Sequence, residues 1–130
     1  MGRRVALVVI FFVAAIASIA MFAVAPTAIN NRAKFGTFDT AGPPPRVDFC
    51  GRRYYPGSKT ESRAEVEASL AQHRSSGWMR IDTAPAGRPI FADVMPPAVR
   101  AQYHTNACAM ELWVQSGPDA YRPYVLSGGP

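Results

Sequence analysis

The twenty-one residues Val5–Ala25 carry no charge and a single hydroxyl, Ser18, and this run limits what the rest of the chain can be. As a helix it spans roughly 31 Å at ~1.5 Å per residue, close to the hydrocarbon thickness of a bilayer. A helix also pairs every backbone N–H and C=O inside the segment, as lipid demands. The rest of a 130-residue chain is too small to wrap such a helix in a soluble core. The expectation is therefore an N-terminal signal-anchor or transmembrane helix over 1–25, stopped by Pro26. Its partner is membrane lipid, met through residues 5–25.

Charge placement sets direction and excludes one class of ligand. Arg3 and Arg4 precede the apolar run, while Arg32 and Lys34 follow it at a greater distance. Arg3 and Arg4 are thus the membrane-orienting residues, and the N-terminus is expected on the cytoplasmic side. Six basic side chains face two acidic ones between Pro26 and Lys59, whereas acidic residues slightly exceed basic ones from Thr60 onward. The basic excess lies beside the membrane, so a lipid surface is its nearest anion, and nucleic-acid binding is not expected.

Cleavage of the helix is the alternative. Ser18-Ile19-Ala20 has the small-x-small form of a peptidase site, and Ala23-Val24-Ala25 has it too but is followed by Pro26. The length of the run favours a retained anchor. Ala14 and Ser18 form a small-x-x-x-small pair, which reads as lipid-facing filler or as a helix contact.

Beyond the helix, 26–45 reads as a Pro-rich linker. Gly42-Pro43-Pro44-Pro45 favours an extended, stiff spacer that would hold a domain off the bilayer, or a docking segment for a groove that takes polyproline. Residues 46–130 carry the fold signals. Val47–Cys50 reads as a strand closed by Gly51, and Tyr54-Tyr55-Pro56-Gly57 as a second extended piece with a turn. Ser62-Arg63-Ala64-Glu65 is a capping box opening a helix to about Ser75, with Val66, Leu70 and His73 on one side and Gly77 ending it. Trp78–Thr83 and Ile90–Val94 read as strands. In Ala107–Gln115, Cys108, Met110, Leu112 and Val114 share one face, and Glu111, Trp113 and Gln115 the other. Tyr121–Leu126 returns as its partner. The order predicts a small extracytoplasmic α+β domain, its mostly antiparallel sheet carrying one helix and one disulfide.

Cys50 and Cys108 are the only cysteines. An isolated pair in an exported domain reads as a disulfide, and closing so long a loop removes chain entropy worth about 4 kcal/mol. A domain this small has need of such a staple. The competing readings are a zinc site of Cys50, Cys108 and His104 with His73, or a Cys/His nucleophile pair. His104 and Cys108 have a spacing one helix could use, but Cys108 is expected at a strand start and no C-x-x-C or H-x-x-x-H motif supports zinc. The nucleophile pair needs a free thiol that the disulfide consumes, so no metal, cofactor or catalytic residue is assigned. Asp82 and Asp93, on strands that can neighbour each other, offer a paired-carboxylate site for a small hydrolytic enzyme. Aromatics with arginine are the remaining feature. Arg52, Arg53, Tyr54, Tyr55 and Trp113 are candidates for contact with a partner, Trp113 foremost because it is out of phase with the apolar face of its strand.

Cys50-Gly51-Arg52-x-Tyr54-Tyr55, Gly87-Arg88-Pro89-Ile90, Cys108-Ala109 and the ending Tyr124–Pro130 resemble small actinobacterial membrane-anchored or exported proteins. The resemblance implies location and a disulfide, and transfers no catalytic residues. The functional expectation is a non-enzymatic, single-pass interaction protein, an accessory subunit of a larger membrane or envelope complex with a membrane-protein partner. A secreted module binding an envelope glycan or lipid is the alternative.

Overall fold

The computed structural model describes residues 2–73, 77–93, 95, 97–103, 108–109 and 111–127. Helix α1 (Gly2–Phe35) is followed by β1 (Val47–Phe49), β2 (Arg52–Pro56), α2 (Arg63–Gln72), β3 (Trp78–Ala84), β4 (Arg88–Asp93), α3 (Pro97–Tyr103), β5 (Glu111–Gly117) and β6 (Ala120–Leu126). The strands form one sheet in the order β1-β2-β6-β5-β4-β3, and every neighbouring pair is antiparallel. The N-terminal apolar helix, the antiparallel sheet and the disulfide match the expected architecture, while the domain carries two helices, α2 and α3, where one was expected.

The sheet curls, and the curl creates two cores. Register shifts at Arg80/Asp82 in β3 and Gln115/Gly117 in β5 place irregularities in two strands. Such bulges bend a strand and raise its twist. Val47, Tyr54, Tyr124, Leu112, Val114, Ile90, Ala92 and Ala84, drawn from all six strands, meet in the inner core. Val66 and Leu70 of α2 cover Trp113 and Tyr121 on the outer face, with Trp78 and Phe91 packed alongside. The outer rings meet edge-on or tilted, Trp78 lying 4.8 Å from Phe91 and 4.9 Å from Tyr121 between centroids. These geometries suit the aromatic quadrupole.

Local chemistry explains the elements. Ser62 caps α2 by accepting from the Glu65 N–H, and the Glu65 carboxylate accepts from the Ser62 N–H at 2.7 Å, so the capping box forms as expected. The helix ends at Gln72 with His73 as its cap, earlier than the sequence suggested. The β1–β2 hairpin turns through Cys50 and Gly51, with φ of 54° and 69°. Two positive φ angles in a two-residue loop are what a type I′ hairpin requires. Cys50 therefore lies in the turn and not at the end of the strand. Residues 104–107 and Met110 lie outside the described residues, and β5 begins at Glu111, so Cys108 precedes the strand.

Two expectations for the N-terminal third are corrected. Helix α1 continues through Pro26 to Phe35. A proline inside a helix removes one hydrogen bond, a loss that membrane helices tolerate. The segment from Gly36 to Pro45 does not stand clear of the domain. The Pro44 side chain is fully buried, and the Pro44 carbonyl accepts from the Tyr124 hydroxyl at 2.6 Å. Arg88 donates to the carbonyls of Thr40, Ala41 and Gly42. Held at Thr40–Gly42 and at Pro44, this segment is neither a stand-off spacer nor a free polyproline ligand.

Candidate functional site: the helix–domain junction and the uncovered end of the sheet

The junction begins with the way α1 stops. Gly36 has φ +76° and its N–H donates to the Arg32 carbonyl at 3.1 Å, a left-handed glycine cap. A Cβ on Gly36 would meet the Arg46 side chain at 3.1 Å, so backbone angle and space both favour glycine. Arg46 donates through Nη2 to the Ala33 carbonyl at 3.0 Å, satisfying another acceptor left open at the helix end. Phe35, 2 % exposed, enters the inner core beside Val47 and Tyr54.

Charge fastens the same joint. Lys34 pairs with Asp82 of β3, and Arg46 approaches Asp48 of β1 at 3.5 Å. Burial works against ionisation of Asp82, but the hydrogen bonds from Lys34 and the Thr83 N–H, with the Lys34 charge, outweigh it and hold the carboxyl below its usual range. Arg53 lies 3.8 Å from Asp48, an exposed and weak contact. The helix is thus joined to β1 and β3, the two edge strands, where the curled sheet opens.

The sequence candidates separate under this geometry. Cys50 and Cys108 are bonded, with Cα atoms 5.8 Å apart. Neither thiol is therefore available as the nucleophile or the metal ligand that the competing readings required. Tyr54 is buried, and its hydroxyl donates to the Ala109 carbonyl at 2.6 Å, next to the disulfide. Trp113 is 2 % exposed beneath α2, and its indole donates to Glu61 at 3.1 Å. Both are core residues, and the expectation that they meet a partner is corrected: Trp113 is out of phase with the inner face because a second core lies on the outer one. Arg52, Arg53 and Tyr55 remain exposed. Tyr55 pairs across strands with Val125, the two being 40 % and 46 % exposed. They occupy the part of the outer face that α2 leaves uncovered.

Asp82 and Asp93 do not form a carboxylate pair. Asp93 lies opposite Trp78, whereas Asp82 lies opposite Ile90 beyond the bulge. Four residues along a strand separate them by roughly 13 Å. His73 Nδ1 is 2.8 Å from the Ser69 carbonyl, and His104 lies outside the described residues, as do the side chains of Arg3 and Arg4. Glu111 is a group the sequence did not single out. Burial raises its carboxyl above the usual range, and the Glu61 and Asp93 charges add to this against a smaller opposing effect of His73. Burial likewise pushes the Tyr124 hydroxyl up to about 12, against the lowering charges of Arg122 and Arg88.

The described large side chains of the apolar run lie open, away from the domain. Its large side chains between Leu7 and Val24 are 54–84 % exposed, and the most apolar window of the helix is wholly unburied. Ser18 donates to the Ala14 carbonyl at 2.8 Å, so the one hydroxyl in the run is satisfied within the helix. Length and composition suffice to cross a bilayer, and would also suit a signal segment. No protein-family model matches this chain, and comparisons with curated proteins and with solved structures found no match.

Proposed function

We propose that this chain is a single-pass, membrane-anchored protein with its N-terminus in the cytoplasm. Its disulfide-bonded domain lies outside and serves as a non-catalytic interaction module, an accessory subunit of a larger membrane or envelope complex. The observation that carries the reading is the continuity of α1 from the apolar run to Phe35 in the domain core. Cleavage after Ala20 would leave Met21, Phe22, Val24 and Ile29 exposed on a helical stub that the domain still holds. Retention gives those side chains lipid instead. The disulfide suits an oxidising compartment.

The non-catalytic reading draws support from occupancy. Lys34 engages Asp82 and the two thiols engage each other, so three of the side chains that the sequence offered for chemistry serve the structure. For a partner, the available surface is Tyr55 and its cross-strand neighbour Val125, with the exposed Arg53 two residues from Tyr55 on the same face of β2. Mild-detergent purification from native membranes after in-cell cross-linking tests this. A neighbouring membrane protein should cross-link to the parent chain and be lost from the Tyr55→Ser/Val125→Ser variant, with the disulfide and melting temperature kept. A chain that runs alone without cross-linked neighbours would sink the subunit reading.

A further inference from the structure

Between Arg4 and Arg32 the sequence holds no charged residue, and 28 positions separate the two. In a helix these positions cover roughly 42 Å, which matches a whole bilayer with its headgroups at about 40–45 Å. A helix that places Arg4 in one headgroup layer therefore places Arg32 in the other, and any tilt lowers Arg32 further. The apolar surface continues past Pro26, with Ile29 66 % exposed. Gly36 caps the helix only four residues after Arg32, and the joint to Phe35, Arg46 and Asp82 leaves no slack. A domain so attached has no length of chain with which to stand away from the lipid.

The side chains at this level fit such a surface. Phe38 follows the cap and is 64 % exposed, a large ring outside both cores. The Arg32 guanidinium lies 5.6 Å from the centroid of that ring and donates to the Gly36 carbonyl. Helical side chains lean toward the N-terminus, which here means toward the membrane interior. Arg32 instead reaches toward the C-terminal end, as a cation at the edge of lipid does to stay in the headgroup layer. Lys34, Arg46 and Arg53 face Asp82 or Asp48, whereas Arg32 has no carboxylate partner among the described residues. Its planar fork keeps donors for an anion, and a phosphodiester fits that fork.

We propose that the domain rests on the headgroup layer of its own bilayer, with Phe38 seated at the interface and Arg32 holding the phosphate of an anionic phospholipid. This inference builds on α1 being a retained span. The full chain in nanodiscs separates the two claims through quenching by brominated lipids. The Phe12→Trp variant should be quenched by lipids brominated deep in the acyl chain. The Phe38→Trp variant should lose most of its added emission to lipids brominated near the headgroup, over the background of Trp78 and Trp113 in the parent. That loss should be greater in an equal mixture of phosphatidylcholine and phosphatidylglycerol than in phosphatidylcholine alone, and adding Arg32→Gln should abolish the difference. Quenching of the Phe12→Trp variant without quenching of the Phe38→Trp variant overturns the seated domain and leaves the span intact. Equal quenching of the Phe38→Trp variant in both lipid mixtures overturns the anion contact. If the Phe12→Trp variant itself escapes quenching, the span and the inference built on it both fail.

Discussion

The two halves of α1 meet opposite surroundings. Before Pro26, side chains such as Phe11, Phe12 and Phe22 project into open space on every side of the helix. After it, Phe35 enters the inner core, Lys34 pairs with Asp82, and the terminal carbonyls are taken by Gly36 and Arg46. The first half depends on a solvent the domain does not supply, while the second is part of the domain. One continuous helix therefore runs from the exposed apolar run into the domain core, and the proline near their boundary does not separate the two. Stability should accordingly be insensitive to the first half and sensitive to the second.

The largest expected effect is at Phe35. Phe35→Ala removes a buried ring from the inner core and should cost about 3–5 kcal/mol. Phe12→Ala, in the first half, should leave the domain's melting temperature in detergent unchanged. Similar losses for the two variants would mean that the boundary is drawn wrongly. Gly36→Ala comes next, since a Cβ at positive φ is strained and also crowds Arg46. About 1–2 kcal/mol should be lost, read from denaturant midpoints of the full chain. No loss would show that the helix ends without the left-handed cap.

The smallest effect is expected at Glu111, in phase with Trp113 on the outer face of β5. Burial, and then the Glu61 charge, raise the Glu111 carboxyl, so the folded chain holds this proton more tightly than the unfolded one. A raised acid contributes stability that is present below its unfolded pKa and is lost as pH rises through the folded value. Glu111→Gln should therefore raise the melting temperature at neutral pH. Its advantage over the parent should shrink on acidification through the usual glutamate range. A constant advantage at all pH values would point to packing and not to ionisation.

Much of the fold was legible because its signals are local. The capping box at Ser62, the alternation in β5 and the turn residues between strands all act within a few positions. Leu112 and Val114 face the inner core and Trp113 the outer one, as alternation required. What that pattern left open is what lies over each face. Trp113 looked available because a strand shows its two sides without showing that α2 returns to cover one. The junction was less legible for a related reason. Pro26 gave a strong local reason to end α1, whereas Arg32 and Lys34 in a last turn and Gly36 beyond it gave a weaker one to continue it. The outcome depended on Phe35, Asp82 and Arg46, which meet only when β1 and β3 curl toward one another. Likewise the polyproline pattern at Pro43–Pro45 implied a spacer, but Tyr124, 80 positions away, holds the Pro44 carbonyl.

In the proposed arrangement α1 remains attached as a membrane span continuous with a disulfide-closed domain. Intact mass under non-reducing conditions, measured on protein extracted from the membranes of its own host, tests it most directly. The prediction is a membrane-bound species that resists alkaline extraction, retains Val5–Phe35 and is two hydrogens lighter than the reduced chain. A released species beginning at Met21, or one with free thiols at Cys50 and Cys108, would contradict it.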